Sequence, residues 1–355
     1  MSRARDFADL AGSADAGGIT GKNLVINGAM QVAQRGDSTG ITTSGYYACD
    51  RYNFTLSSLG TWSVSQSSTA PSGFANSLKL EATTADASPA ASDFALLAHK
   101  FEGQNLQHLK KGTSSAESIT LSFWVRSSKT GTYIVEIRDN DNTRIICSSY
   151  TINSADTFEY KTLTFAGDTV GSLDDDNALS FQCIWWLASG TDFTSGTLAT
   201  SWASSTNANR AVGQVNLADT ANATWYITGV QLEVGEQDTP FEHRSYGDEL
   251  RRCQRYYYKD PAFNGVGFGS TAIARATATH PVPMRATPSV SYSGSVRAFD
   301  GAGTLTLTGI SVNYCTQQHF NVDCSVSSGG GSSRGVGVVA ESYSSSNKIE
   351  VDAEL

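Results

Sequence analysis

ITLSFWVRS, Ile119 to Ser127, decides the fold. Successive side chains of an extended chain point to opposite sides, so Ile119, Leu121, Phe123 and Val125 share one face and Thr120, Ser122, Trp124 and Arg126 the other. An apolar and a polar face in strict alternation make a strand half buried in a sandwich. A turn around Lys129 to Gly131 leads into TYIVEIRD, where Tyr133, Val135 and Ile137 oppose Glu136 and Arg138. The spacing predicts that the two runs form a hairpin.

The same period recurs on either side. SLKLE carries Leu78 and Leu80, YKTLTF carries Leu163 and Phe165, ALSFQCIWWL carries Phe181, Cys183, Trp185 and Leu187, and ATWYITGVQLEV closes the series. Clusters of Gly, Ser, Asn and Asp separate these runs. Together they predict an all-β, antiparallel, jelly-roll-like sandwich over residues 22–244, followed by a short helix and a second, smaller β-domain. In residues 1–21, Phe7 and Leu10 share a helical face before Gly12 and the Gly17-Gly18 pair, which predicts an attachment helix on a tether. Residues 245–259, SYGDELRRCQRYYYK, lose the alternation. Tyr246, Leu250, Cys253 and Tyr257 are spaced four, three and four apart and line one helical stripe, either packed on the chain's own sandwich or forming a seam between subunits. Strand patterning returns over 260–355, with a change of register across Gly309 in GTLTLTGISV that predicts a bulge.

Composition agrees with an all-β chain: Gly, Ser and Thr abound and only 17% of the 355 residues are charged. A net charge of -9, with no Lys/Arg cluster interleaved with aromatics, opposes binding to a phosphate backbone and excludes nucleic acid as a partner. No apolar run approaches the roughly 20 residues of a membrane span, and MSRARDFADL lacks the apolar stretch of a signal peptide, so membrane insertion is not expected and synthesis in the cytoplasm is. The six cysteines show no CxxC pair and no zinc-ligand spacing, which predicts free thiols; Cys315 and Cys324 alone are close enough in sequence to leave a disulfide open. The five histidines lie in no nucleophile-elbow, zincin or phosphate-loop context, so no catalytic residue is assigned. A glycosidase carboxylate pair would meet only in the fold.

NLVINGAMQVAQRG (Asn23 to Gly36), YYACDRYNF (Tyr46 to Phe54) and GVQLEVGEQDTPFEHRSYGDELRRCQRYY (Gly229 to Tyr257) resemble the opening and close of carbohydrate-binding-module-like domains in bacteriophage tail-fibre and appendage proteins. HPVPMRATPSV (His280 to Val290) and the terminal VDAEL are similar to the C-terminal parts of such proteins. The resemblance implies a galactose-binding-like jelly roll, assembled as a homotrimer, in a structural protein of the virion. A tail fibre or receptor-binding appendage contacting host-surface glycans is the first reading, with Phe7 and Leu10 attaching it to other virion proteins. A capsid decoration or head fibre that binds no glycan is the alternative, and a polysaccharide-degrading tailspike the third.

Sugar recognition needs an aromatic platform for the apolar face of a pyranose and planar polar groups for its hydroxyls. Trp124, with Arg126 beside it, is the first candidate because it stands opposite the apolar set of its strand; Trp186 follows, because it and Trp185 must point oppositely. Packing is the bland alternative for each. Trp62 and Trp202 lie among loop-like residues and are expected to plug the sandwich ends, while Asp50 and Glu233 are expected to hold Arg51 or backbone amides. Sandwich modules of the resembled kind commonly hold a structural calcium, for which the run Asp174, Asp175 and Asp176 is the dense acidic candidate and an exposed turn the alternative.

Overall fold

The alternating runs become strands wherever side chains two apart share an apolar face. The structure, a computed structural model, describes residues 21–259, 263–268, 273–293, 296–300, 303–326, 337–342 and 348–355. Phe7 and Leu10 lie outside the described residues. The chain divides into two compact units, with the boundary at Glu249/Leu250.

The first unit contains β1 (Ser38–Ile41), β2 (Gly45–Tyr46), β3 (Tyr52–Ser57), β4 (Thr61–Ser67), β5 (Ser77–Thr84), β6 (Phe94–Glu102), β7 (Ile119–Ser127), β8 (Gly131–Asp139), β9 (Arg144–Ile152), β10 (Glu159–Phe165), β11 (Leu179–Ser189), β12 (Ala203–Ser204) and β13 (Ala223–Val234). They form a six-stranded sheet in the order β1-β4-β5-β13-β7-β10 and a seven-stranded sheet in the order β12-β9-β8-β11-β6-β3-β2. Inward residues of both sheets share one core: Leu121, Phe123, Val125, Trp225 and Leu80 from the first meet Val135, Ile137, Cys183, Trp185 and Phe54 from the second. Trp62 belongs to this core in β4, fully buried with its indole N–H donating to the Leu59 carbonyl at 2.7 Å, so it is a strand residue and not an end plug.

The predicted hairpin does not form. β7 pairs with β10 and β13, whereas β8 pairs with β9 and β11, so the chain crosses from one sheet to the other at Ser128 to Thr130. Alternation fixes which side of a strand is apolar, and two apolar faces can be buried side by side or opposite each other; here they meet across the core. The Tyr133 hydroxyl ties the crossing by donating to the Lys129 carbonyl at 2.9 Å. The hairpin is β8–β9, where Asp139 caps the turn by accepting from the Asn142 amide N–H at 3.0 Å.

The two long motifs at the ends of the domain meet in a latch. Leu24 N–H donates to the Leu232 carbonyl and Val230 N–H to the Gly28 carbonyl, both at 2.9 Å. The buried Asn23 side chain bridges Val25, Val230 and Leu232, and a Cβ on Gly28 would lie 2.2 Å from the Val230 oxygen, so only glycine fits there. Glu242 accepts from Asn23 N–H at 2.8 Å, and Arg244 donates to the Val25 carbonyl at 2.9 Å. Asp50 accepts from Gln34 N–H, and Glu233 from Thr239 N–H, each at 2.9 Å, so both carboxylates receive backbone amides.

The helix is shorter than the stretch 245–259: it spans Tyr246–Gln254, and Tyr257 belongs to β14 (Tyr257–Lys259). The second unit continues with β15 (Phe263–Phe268), β16 (Ile273–Thr279), β17 (Ser289–Ser293), β18 (Val296–Asp300), β19 (Gly303–Cys315), β20 (His319–Val326), β21 (Gly337–Ser342) and β22 (Lys348–Asp352). Six of them close a barrel in the order β15-β16-β20-β19-β18-β21, and β14-β22-β17 form a separate sheet. The bulge expected at Gly309 is present as a register shift between Leu307 and Gly309 against β20. Cys315 is a free thiol opposite Phe320, while Cys324 stands opposite Ile310. Four residues of strand, about 13 Å, separate Phe320 from Cys324, which places the two cysteines beyond disulfide reach. Among the described residues no helix is long and apolar enough to cross a membrane.

Candidate functional site

Three adjacent strands of the seven-stranded sheet turn their even-numbered residues outward. On β11 these are Gln182, Ile184 and Trp186, because Phe181, Cys183, Trp185 and Leu187 take the core. The register sets Gln182 between Arg138 of β8 and Lys100 of β6, Ile184 between Glu136 and Ala98, and Trp186 against Leu96. Leu96 in turn faces Thr55 of β3.

The segment from Gly190 to Gln214 folds back over part of this surface. Phe193 and Ala211 pack with Leu96, Ala98, Ile134, Ile145, Cys147, Ile184 and Trp186 as a second small core. Backbone bonds seat the segment: Cys147 N–H donates to the Ala199 carbonyl at 2.7 Å, and Val215 N–H to the Thr132 carbonyl at 2.9 Å. Arg210 then reaches down to the fully buried Glu136, with its guanidinium 4.9 Å from the Trp186 ring centre. Beside this cover lies a cleft of about 400 Å³, lined by Thr55, Phe94, Leu96, Arg138, Asn140, Gln182, Ile184, Trp186 and Arg210. The volume suits a small ligand such as one or two sugar rings. Phe94 supplies a partly exposed aromatic ring, stacked edge-on to Phe193 at 5.3 Å, and the Gln182 side chain donates to the Asn140 side-chain oxygen at 2.9 Å. Aliphatic and aromatic walls with planar amide and guanidinium groups match what a pyranose offers, apolar ring faces and directional hydroxyls.

The sequence candidates are not brought together. Trp186 borders this cleft but is fully buried, its indole N–H donating to Glu136 at 3.0 Å. Trp124 and Arg126 lie on the outer face of the other sheet. There Trp124 packs against Tyr160 at 5.3 Å between ring centres, and Arg126 pairs with Asp156 at 3.0 Å and lies over Tyr226 at 5.0 Å. Trp202 caps the main core instead, with its N–H on the Ala166 carbonyl at 2.7 Å. Asp174, Asp175 and Asp176 are exposed; Asp174 N–H donates to Asp141, and Asp176 caps its own turn at Ala178. Among the described residues no group of three His, Cys, Asp or Glu side chains is placed to hold a metal. Of the helical stripe, Cys253 and Tyr257 are buried, Leu250 partly so, and Tyr246 is exposed.

A cation does sit in an oxygen cage elsewhere on the seven-stranded sheet, and it is a lysine. Lys111 Nζ lies 2.5 Å from Asp139 and 3.1 Å from Asp168 and donates to the Val170 and Gly171 carbonyls at 2.9 and 2.8 Å. Arg144 completes the cluster with a two-pronged contact to Asp168 at 2.6 and 3.0 Å. Burial works against the Asp168 charge, but the bonds from Arg144 and Lys111 outweigh it and hold its carboxyl below the usual range.

The topology and core define the first unit as an antiparallel β-sandwich of the jelly-roll type. No protein-family model matches the chain, and no curated protein sequence does. Among solved structures it is similar to the enzymatically active domain of tailspike protein 4 of bacteriophage CBA120 (13% identity, TM-score 0.31, 60% of this chain and 21% of that one). It is also similar to TmCBM61 in complex with β-1,4-galactotriose (8% identity, TM-score 0.31, 61% and 99%) and to the family 11 carbohydrate-binding module of Clostridium thermocellum in complex with a mixed-linked tetrasaccharide (11% identity, TM-score 0.28, 57% and 98%). The match spans about a fifth of the tailspike chain. The fold assignment stands on the strand order itself.

Proposed function

We propose that this chain is a structural, non-catalytic protein of a bacteriophage virion, a homotrimeric tail fibre or receptor-binding appendage, and that the cleft over the seven-stranded sheet takes up a glycan of the host surface. The observation that carries the glycan reading is the cleft, where the Phe94 ring and the Gln182, Asn140 and Arg138 side chains line one open space over the seven-stranded sheet. The place in the virion rests on the resemblance of Asn23 to Gly36 and Gly229 to Tyr257 to appendage proteins. Three linked copies would raise weak single-site binding by acting together. The one carboxylate under the cleft, Glu136, is engaged by Arg210 and Trp186, so the proposed role there is capture of the sugar rather than acid–base cleavage.

Glycan-array binding by the full chain and by Phe94→Ala tests the site: selective binding that falls about tenfold in the variant supports it, and equal binding by both removes the cleft from the reading. Electron microscopy of particles carrying a labelled chain tests the station. Label at the tail supports it; label on capsid facets alone replaces it with a capsid decoration.

A further inference from the structure

The lining of the cleft holds two cations, Arg138 and Arg210, and no anion. The nearest carboxylate is already committed. Both oxygens of Glu136 accept from Arg210 Nε, at 3.1 and 2.9 Å, and one of them also accepts the Trp186 indole N–H. Arg210 is closed in by this contact and by the rings of Trp186 and Phe193.

Arg138 is differently placed. Its guanidinium comes no nearer than 3.8 Å to Glu136, beyond hydrogen-bond reach, and its side chain is 26% exposed. Among the described residues that side chain makes no hydrogen bond, so a planar fork of five N–H donors faces the cleft with one negative charge shared between two cations. Burial first, and then the Arg210 charge, push the Arg138 pKa below the ordinary guanidinium range, with Glu136 pulling the other way. An incoming anion would relieve the second of these. Next to Arg138 in the register, Gln182 is bonded to Asn140, and the Gln182 side-chain carbonyl and Asn140 Nδ2 make no hydrogen bond among the described residues. They are available to ring hydroxyls.

Resting on the glycan reading above, we propose that the cleft selects an acidic saccharide, one that carries a carboxylate or a phosphate ester, and that Arg138 receives the anionic group while Phe94 and the Gln182–Asn140 pair hold the ring. Carboxylate and phosphate both fit a guanidinium fork through two parallel N–H···O bonds. The whole chain carries a net charge of -9 and repels polyanions at long range, so acidic binding is a property of this local spot.

Isothermal titration of the full chain with three hexasaccharides decides it: neutral galactose, its galacturonic acid counterpart, and a phosphate-substituted galactose chain. The expected result is at least tenfold tighter binding of an acidic ligand, with that preference lost in Arg138→Gln. Arg126→Gln, on the other sheet, should leave all three affinities as they are. A preference for galacturonate over the phosphate chain, or the reverse, identifies the anion. Equal binding of neutral and acidic chains, lost in Phe94→Ala, overturns the charge selection and keeps the cleft as a glycan site. Acidic binding that survives Arg138→Gln overturns the assignment of Arg138. Binding of none of the three overturns the acidic selection, and a blank glycan array besides overturns the glycan reading.

Discussion

The two outer faces of the sandwich come from the same alternation and end up with different chemistry. On the six-stranded sheet, Lys79 pairs with Glu81 at 2.6 Å and Arg126 with Asp156 at 3.0 Å, both flanking the Tyr226 ring, and the Tyr160 hydroxyl donates to Asp238 at 2.8 Å. Each of those two cations has its own carboxylate within reach. On the seven-stranded sheet the Gly190 to Gln214 segment covers part of the face, takes up Glu136 through Arg210, and leaves Arg138 at the edge of the cover without a hydrogen bond among the described residues. The cleft here is the uncovered remainder of a sheet face whose internal pairing is uneven, and the more conspicuous aromatic face with Trp124 is the one where Lys79 and Arg126 are each paired.

The largest effect that separates the faces is on stability. Glu136→Ala strips a fully buried carboxylate from Arg210 and the Trp186 indole, and should cost about 3–5 kcal/mol because it leaves a cation uncompensated in the interior. Asp156→Ala breaks an exposed pair on the other sheet and should cost under about 1 kcal/mol. Urea midpoints at constant slope measure both, and equal shifts would mean the faces are energetically alike. In binding, Trp124→Ala should leave glycan affinity unchanged while Phe94→Ala lowers it about tenfold; the reverse order on a glycan array would move the site to the six-stranded face.

The sheets should also lose stability at different pH. His99, on β6, is pushed well below its ordinary pKa by burial and by Arg51, against a bond to the Ile26 backbone. It is neutral in the fold, so its contribution is complete above about pH 6.5, the unfolded value, and drains away as pH falls below it. Glu159, on β10, is weakened as an anion by burial but held down to about 2 by Lys161, the Ser154 and Asn153 backbone and the Asn153 side chain. Its contribution is present above about pH 4.5 and is lost as pH falls toward 2. Chemical denaturation from pH 8 to pH 2 should therefore decline in two steps. His99→Gln should shrink the upper step and Glu159→Gln the lower, to which Asp168 also contributes; a step left unchanged in its variant would show that the group does not contribute to it.

The smallest expected effect is kinetic. Cys147, under the Gly190 to Gln214 cover, and Cys183, in the main core, both have thiols pushed up, chiefly by burial. Neither should react readily with a neutral thiol reagent in the native protein. If the cover opens more easily than the sandwich, Cys147 labels before Cys183, and simultaneous labelling would show that cover and core open as one unit.

The sequence by itself determined which residues of each strand face the core, because parity is a property of two bonded neighbours: Trp185 inward with Trp186 outward, Leu121 and Phe123 inward with Trp124 outward, and a bulge at Gly309 where the register breaks. Its long end motifs stand out in the sequence, and the fold shows them to be the latch in which Asn23, Gly28, Glu233 and Glu242 close the domain. Only the tertiary structure decided which sheet each strand joins. β7 and β8 follow each other in the chain yet lie in different sheets, since a run that buries one apolar face satisfies the same pattern in either position. The cleft is likewise nonlocal. Thr55, Arg138 and Gln182 come from three strands, and Arg210 reaches Glu136 across 74 residues of sequence. No spacing along the chain encodes the charge left over when those side chains meet.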